Sequence, residues 1–163
     1  GYQMLTIRQG IDLVKMLKSK KVYDGLKAKL RGAEIAQLLN EIIEVRDPWR
    51  AEWLDARFVQ ENNEWYLLQD HKYDRSKAKL EERIIAENRV KVDPLMGNIK
   101  FNLNDVNQYG LPTKRGAKLN YWYPGNNTVA WFVANSDRAG LYCNWNPSDS
   151  DAVLGVRRAK NFR

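Results

Sequence analysis

The amino-acid sequence predicts an α+β fold, with helices first and short strands afterwards. Apolar residues recur at helical spacing before residue 47, and they alternate with polar residues from Leu54 onwards. Asparagine and glycine separate the later apolar runs. This order is typical of α+β domains. A chain of 163 residues is the usual size of one domain, so we expect a single domain over 1–163 with a helical part at 1–47.

Two helices are predicted in this helical part. Thr6 and Gln9 have the spacing of a capping box, and the apolar stripe behind them predicts a helix over 7–20. A second stripe predicts a helix over 33–46, which ends before Pro48. Both stripes are too wide to face water, so we expect the helices to pack onto the rest of the domain.

Alternating apolar residues predict short strands after the helices. Strands at 54–58 and 65–69 would form a hairpin, and a short helix over 76–86 would follow. The later strand candidates are 90–92, 99–103, 121–123, 128–133, 140–143 and 153–157. Eleven of the fifteen asparagines lie at or after residue 98. Because Asn favours turns and loops, we expect long loops between these strands.

The composition argues against several classes of chemistry. One cysteine, Cys143, excludes an internal disulfide and a cysteine-cluster metal site. One histidine, His71, argues against His-rich metal sites and most catalytic triads, and we expect it at the surface or as a cap. No Gly-rich phosphate loop and no nucleophile elbow occurs. We therefore expect a binding protein rather than an enzyme, with no cofactor and no bound metal.

Location and partners are less constrained by the sequence. No run of about 18 apolar residues is present, so we expect no membrane-spanning helix, and the first residues lack the pattern of a signal peptide. Residues 91–163 contain ten Lys or Arg against five Asp or Glu, within a net charge of +7. A basic surface attracts nucleic acid, but no nucleic-acid motif accompanies it. We therefore rank a nucleic-acid partner below a protein partner and leave the oligomeric state open.

The segment 130–157 carries a distinctive pattern. Its skeleton is a Trp, then Ser-x-Arg-Ala, then Asn-Pro-Ser-x-Ser-x-Ala, and finally Leu-Gly-Val-Arg. This pattern resembles the variable region of proteins that are diversified by retroelements. Such proteins have a C-type-lectin-like fold, shared with the formylglycine-generating enzyme family. The resemblance implies a C-type-lectin-like domain with long C-terminal loops and a variable region over 120–158. The paired cysteines of the formylglycine-generating activity are missing, because Cys143 stands alone.

The resemblance also implies which positions vary. In this family, mutation of adenines turns asparagine codons into codons for a restricted set of residues that excludes tryptophan. Trp131 and Trp145 are therefore predicted to be scaffold. Asp149, Asp151 and Val153 alternate, so an extended backbone would send them to one face. We expect the variable side chains to be exposed and to add little to stability. The predicted ligand-binding positions are Tyr121, Tyr123, Phe132, Ala134, Asp137, Tyr142, Cys143, Asn144, Asp149, Asp151 and Val153.

Three functions are compatible with these patterns. The first is a ligand-binding protein whose hypervariable C-terminal face attaches to a protein target on a virus or cell surface. The second is a nucleic-acid-binding module that uses the basic C-terminal third. The third is a calcium-dependent lectin, in which Asp149, Asp151 and nearby asparagines would hold the cation. We predict the first function, the ligand-binding protein, and keep the other two as alternatives.

Overall fold

The computed structural model describes residues 2–24, 26–74, 83–148, 154–156 and 158–160. Within these ranges the chain forms two helices and ten strands. The helices are α1 (Ile7–Ser19) and α2 (Gly32–Ile42). The strands are β1 (Tyr2–Met4), β2 (Arg50–Glu61), β3 (Glu64–Asp74), β4 (Arg83–Val92), β5 (Ile99–Phe101), β6 (Leu119–Trp122), β7 (Thr128–Ala134), β8 (Ala139–Trp145), β9 (Leu154–Val156) and β10 (Arg158–Lys160).

Eight of these strands form one mixed sheet. Its main path runs β4-β3-β2-β7-β8-β6-β5, and β9 pairs with β2 outside that path. The second half of β2 pairs with β3, its first half pairs in parallel with β9, and β7 lies along its other side. At the far end, β6 is parallel to β8 and antiparallel to β5. β1 and β10 form a separate antiparallel pair.

The predicted α+β, C-type-lectin-like fold with long C-terminal loops is wrong, because the large mixed sheet dominates the described residues. Three asparagines occupy turns between strands. Asn62 and Asn63 have φ angles of 51° and 62° in the turn from β2 to β3, and Asn127 has a φ of 61° just before β7. Asn tolerates this left-handed conformation better than most residues. Asn102, Asn104 and Asn107 lie in the long connection between β5 and β6.

Several of the predicted local elements are confirmed. In the capping box of α1, the Gln9 amide N–H donates to Thr6 Oγ1 at 3.3 Å and the Thr6 N–H donates to Gln9 Oε1 at 3.0 Å. Each strand candidate from 90 onwards overlaps an observed strand. The helix predicted over 76–86 is wrong from residue 83, where β4 begins, and residues 75–82 lie outside the described ranges. β-Branched residues in β4 favour an extended chain.

Both helices pack against one face of the sheet, which we call the helix-covered face. Ile7, Ile11, Val14 and Leu17 of α1 are fully buried and belong to the same apolar cluster as Phe132 of β7. Burial of side chains of this size stabilises the fold by about 1.5–3 kcal/mol each. The expectation that the helices pack onto the rest of the domain is thus met.

The opposite face of the sheet, which we call the aromatic face, carries a row of large rings. Trp53, Trp131, Tyr142 and Trp122 are successive partners across β2, β7, β8 and β6. Because cross-strand partners share a face, their side chains lie in one row. Trp145 stacks on Trp131 with ring centroids 4.0 Å apart. This packing is what the predicted scaffold role of Trp131 and Trp145 requires.

Among the described residues, neither helix has the length or the apolar character that crossing a bilayer requires.

Candidate functional site

A second row of cross-strand partners lies beside the row of rings. It consists of Ala51, Val133, Gly140, Asn120 and Lys100, from β2 to β5. Gly140 is buried, and a Cβ atom at position 140 would overlap the backbone carbonyl of Asn120. Glycine therefore allows the close pairing of β6 with β8.

A cleft of about 430 Å³ opens at the end of this row, where Lys100 and Asn120 line it. Its volume is within the usual range of small-molecule sites. Strands β5, β6 and β8 contribute to the cleft together with the segment before β6 and the turn before β8. The lining residues are Asn98, Ile99, Lys100, Arg115, Gly116, Asn120, Tyr121, Trp122, Arg138 and Tyr142.

The segment between β5 and β6 is held against β5 by short polar contacts. The Gly116 N–H donates to the Lys100 carbonyl at 2.7 Å, and the Ala117 N–H donates to Asn102 Oδ1 at 3.3 Å. Glycine is needed at 116 because a Cβ there would lie 2.7 Å from the Asn102 backbone nitrogen. These contacts fix the position of Arg115, the residue next to Gly116, at the rim of the cleft.

Two neighbouring cations in this segment, Lys114 and Arg115, differ in whether they form an ion pair. Lys114 Nζ lies 3.0 Å from Asp105 Oδ1. Hydrogen bonds from Asn102 and Lys114 lower the pKa of the Asp105 carboxyl. Among the described residues, neither Arg115 nor Lys100 forms an ion pair. Lys100 and Arg115, which both line the cleft, thus carry charges that no ion pair within the described residues neutralises.

Arg138 is the third cation of the cleft. Its Nη2 atom lies 2.6 Å from Asp137 Oδ2, and this pair lowers the pKa of the Asp137 carboxyl. Burial raises the pKa of Tyr142, and the adjacent Arg138 partly opposes that rise. No lining residue that the structure describes is acidic. Because Asp137 neutralises the charge of Arg138, the remaining positive charge of the cleft comes from Lys100 and Arg115.

Trp122 and Tyr142 form the apolar wall of the cleft. Their ring centroids are 5.5 Å apart and their planes meet at 44°. Both side chains are half-buried, so part of each ring faces the cleft. The carboxamides of Asn98 and Asn120 also line it, and Asn120 Nδ2 donates to the Ala139 carbonyl at 3.3 Å. The arrangement can hold a flat ligand against the rings and an anionic group against the cations.

The structure separates the predicted ligand-binding positions into three groups. Four are at most 2% exposed and lie inside the domain, so the expectation of exposed side chains is wrong for them: Tyr121, Phe132, Ala134 and Cys143. Four are exposed or half-buried: Tyr123, Asp137, Tyr142 and Asn144. Three lie outside the described residues: Asp149, Asp151 and Val153. Of the whole set, Tyr121 and Tyr142 line the cleft, and Asp137 holds Arg138.

The burial of Phe132 and Ala134 follows from the position of β7. This strand lies between β2 and β8, with α1 packed on one face and the tryptophans on the other. Gly10 of α1 allows the close approach, since a Cβ there would lie 2.7 Å from the Phe132 ring. A strand covered on both faces reads as a continuous apolar run. The run from 129 to 134 was the signal for this burial.

The predicted site residues do not include Lys100, Arg115, Asn120 and Trp122. One available signal was the alternation in β6, which places Asn120 and Trp122 on the face opposite Leu119 and Tyr121. The basic excess after residue 91 indicates a charged surface but not the positions of these cations. The cleft depends on the pairing of β5, β6 and β8, and sequence spacing alone does not reveal that pairing.

A second polar cluster lies between β2, β3 and β4. His71 Nδ1 contacts Asp55 Oδ1, and the His71 backbone N–H donates to Asp55 Oδ2 at 3.0 Å. On the other side, His71 Nε2 lies 3.4 Å from Glu87 Oε2. The hydrogen bond with Asp55 raises the pKa of His71. Its side chain is 7% exposed, so the expectation of a surface or capping histidine is wrong.

The calcium alternative depends on residues that the structure does not describe, namely Asp149 and Asp151. Within the described ranges, no group of three or more His, Cys, Asp or Glu side chains is arranged to hold a metal ion.

Comparisons of this chain with protein-family models, with curated proteins and with solved structures found no match. The likeness to retroelement-diversified proteins therefore stays a prediction.

Proposed function

We propose that this chain is a ligand-binding protein and that its ligand site is the cleft between β5, β6 and β8. The ligand is anionic and has a flat apolar part. One observation carries the proposal: two cations without ion-pair partners among the described residues, Lys100 and Arg115, line a cleft whose wall is Trp122 and Tyr142.

The energetics favour an anion at this place. Charge-assisted hydrogen bonds are roughly twice as strong as neutral ones, and the planar guanidinium of Arg115 suits a carboxylate or a phosphate. An aromatic contact adds about 0.5–1.5 kcal/mol beyond area burial. The net charge of +7 also attracts anions from solution. Together these terms favour a ligand that combines an anionic group with a ring.

A fluorescent aromatic sulfonate, 8-anilinonaphthalene-1-sulfonate, tests this proposal. We expect saturable binding that weakens about tenfold or more in the double variant Lys100→Gln/Arg115→Gln, because each lost charged hydrogen bond is worth about 1.5 kcal/mol or more. The matched control is Lys18→Gln/Lys21→Gln, which removes the same charge from exposed positions of α1 and its end. Equal weakening in both variants would show that only net charge matters, and no weakening would remove the cleft as the site.

A second candidate is a protein-binding face diversified by a retroelement. One observation favours it: Asp137, Tyr142 and Asn144 are exposed or half-buried on β8 and the turn before it. Sequencing of the flanking DNA tests the idea. We expect an imperfect repeat of the segment that encodes 130–158, close to a reverse transcriptase gene. The absence of both would remove this candidate.

A further inference from the structure

We infer, on the basis of the proposed binding function, that the ligand of the cleft is a nucleotide. Its base lies against Trp122 and Tyr142, and its phosphate lies at Lys100 and Arg115. The shared chemistry is a base joined to a phosphate, whether in a free nucleotide or at a single-stranded nucleic acid.

The separation of the two halves of the cleft fits such a ligand. Lys100 is the cross-strand partner of Asn120, and Trp122 is two residues further along the same strand. Neighbouring strands are about 4.8 Å apart, and two residues span about 6.7 Å, so the Cα atoms of Lys100 and Trp122 are about 8 Å apart. A ligand must therefore present its ring and its anionic group at two ends, joined by a spacer such as a sugar.

The charge of the cleft matches a phosphate better than a carboxylate. Lys100, Arg115 and Arg138 line the cleft, and Asp137 neutralises one of these charges. The remaining two charges match a phosphate monoester, which carries about −1.5 to −2 at pH 7, or two successive phosphodiesters of a single strand. A single carboxylate would leave one cation without a partner.

The wall supports recognition of a base. Stacking of a base on an aromatic side chain is worth about 1–3 kcal/mol. Asn98 and Asn120 line the same cleft, and each carboxamide offers both donors and an acceptor. These groups match the polar edge of a base, whereas the ring faces of Trp122 and Tyr142 match its flat surface. An acidic peptide would use the cations but not this combination.

Calorimetric titration with four probes tests the inference. The probes are AMP, adenosine, ribose 5-phosphate and a ten-residue single-stranded oligodeoxynucleotide. We expect AMP to bind at least tenfold more tightly than either adenosine or ribose 5-phosphate, because each of these fills half of the cleft. Tighter binding of the oligonucleotide than of AMP would assign the site to a single strand, and the reverse order would assign it to a free nucleotide. Both orders support the inference.

Substitutions in the two halves of the cleft test which side chains contribute to AMP binding. Trp122→Ala and Arg115→Gln should each weaken AMP binding about tenfold, and Trp122→Phe should restore most of the loss. Lys114→Gln is the matched control, because it removes a charge one residue away from Arg115 that already pairs with Asp105. Near-ultraviolet circular dichroism confirms that each variant is folded.

The outcomes separate this inference from the proposed function. Binding of the aromatic sulfonate that depends on Lys100 and Arg115, without binding of AMP or the oligonucleotide, overturns the nucleotide inference and leaves the proposed function intact. AMP binding that is no tighter than ribose 5-phosphate binding, or that is unchanged in Trp122→Ala, also overturns the inference. Failure of every probe, the sulfonate included, overturns both.

Discussion

At the scale of single residues, Gly140 determines how closely β6 and β8 approach each other. It pairs with Asn120 on one side and Val133 on the other. Backbone carbonyls are rigid, so an added methyl group cannot be accommodated by a side-chain rotation. The same residue therefore affects both stability and the spacing of Trp122 and Tyr142, which β6 and β8 carry.

Gly140→Ala is expected to lower the free energy of unfolding by about 1–3 kcal/mol, the usual cost of overpacking. Gly32→Ala is the matched control, because no atom lies within 4 Å of a Cβ built there and its conformation suits alanine. This control should leave stability unchanged or raise it by about 0.4–1 kcal/mol. Urea unfolding measures both. Equal stability of the two variants would contradict the described pairing of β6 with β8.

Cys143 is a second residue whose role follows from burial. Its side chain is fully buried, and burial raises the pKa of the thiol. Cys143→Ser is expected to lower the free energy of unfolding by about 1–3 kcal/mol, because a buried hydroxyl requires a hydrogen-bond partner. The Cys143→Ala variant shows how much of this loss comes from the reduced side-chain volume alone. A thiol reagent should label the protein only after unfolding. Rapid labelling of the native protein, or a Ser variant as stable as the wild type, would place the thiol at the surface.

At the scale of elements, β2 and β3 are joined by a buried polar pair as well as by the sheet. Asp55 lies where the pairing of β2 with β7 shifts register, and His71 lies where that of β3 with β4 shifts. Register shifts re-aim side chains, and here the two side chains meet. A buried polar pair of this kind favours the register of β2 and β3 in which the two side chains meet.

The pH dependence of stability follows from the pKa of His71. The hydrogen bond with Asp55 raises it, Glu87 adds to the rise, and burial and Arg57 oppose it. Because the folded-state pKa exceeds the unfolded value of about 6.5, protonation stabilises the fold. The contribution is complete below pH 6.5 and is lost as the pH rises through the folded-state pKa.

Urea unfolding at pH 5.5 and at pH 8.0 measures this effect. The wild type should be more stable at the lower pH, and His71→Gln should have lost most of the difference. His71 is the only histidine in the chain, so the assignment is direct. An equal difference in both proteins would assign the dependence to another group.

The sequence predicted elements better than their arrangement. The capping box located the start of α1 because Thr6 and Gln9 interact with each other locally. Strand alternation worked for similar reasons. The fold class failed because strands that are distant in the sequence, such as β2 and β7, pair in one large mixed sheet, and the alternation within each strand does not reveal its partners.

The site was only partly predictable. Tyr142 was selected as an aromatic residue in a polar segment, and it does line the cleft. Lys100 and Arg115 precede β6 in the sequence, whereas Tyr142 lies in β8. These residues line one cleft only because β6 pairs with β8 in the sheet, although β7 lies between the two strands in the sequence. This pairing depends on the tertiary structure, so local sequence patterns do not predict it.

At the scale of the whole molecule, the aromatic face is divided into a scaffold and a site. Trp131 is 3% exposed and contacts the rings of Trp49, Trp53 and Trp145. Trp122 lies at the other end of the row, where it is half-buried beside the cleft. Rings of the same kind thus have different roles, which are set by their distance from the centre of the sheet.

Trp131→Ala should therefore lower the free energy of unfolding by about 3–5 kcal/mol, the usual cost for a buried aromatic residue. Trp122→Ala should lower the free energy of unfolding by clearly less, because the Trp122 ring is already partly exposed to water. Thermal or urea unfolding of the two variants side by side measures the difference. A larger loss in Trp122→Ala would reverse the division between scaffold and site.

The pairing of strands that are distant in the sequence has a consequence for synthesis in the cell. β2 is complete at residue 61, but β7 is complete only at residue 134, β9 at 156 and β10, the partner of β1, at 160. During translation the β2–β3–β4 meander can form first, with one long edge of β2 still open. Open edges of this kind promote aggregation. We therefore expect the yield of native protein to depend on how well the nascent chain is shielded until β7 and β9 have been synthesised and pair with β2.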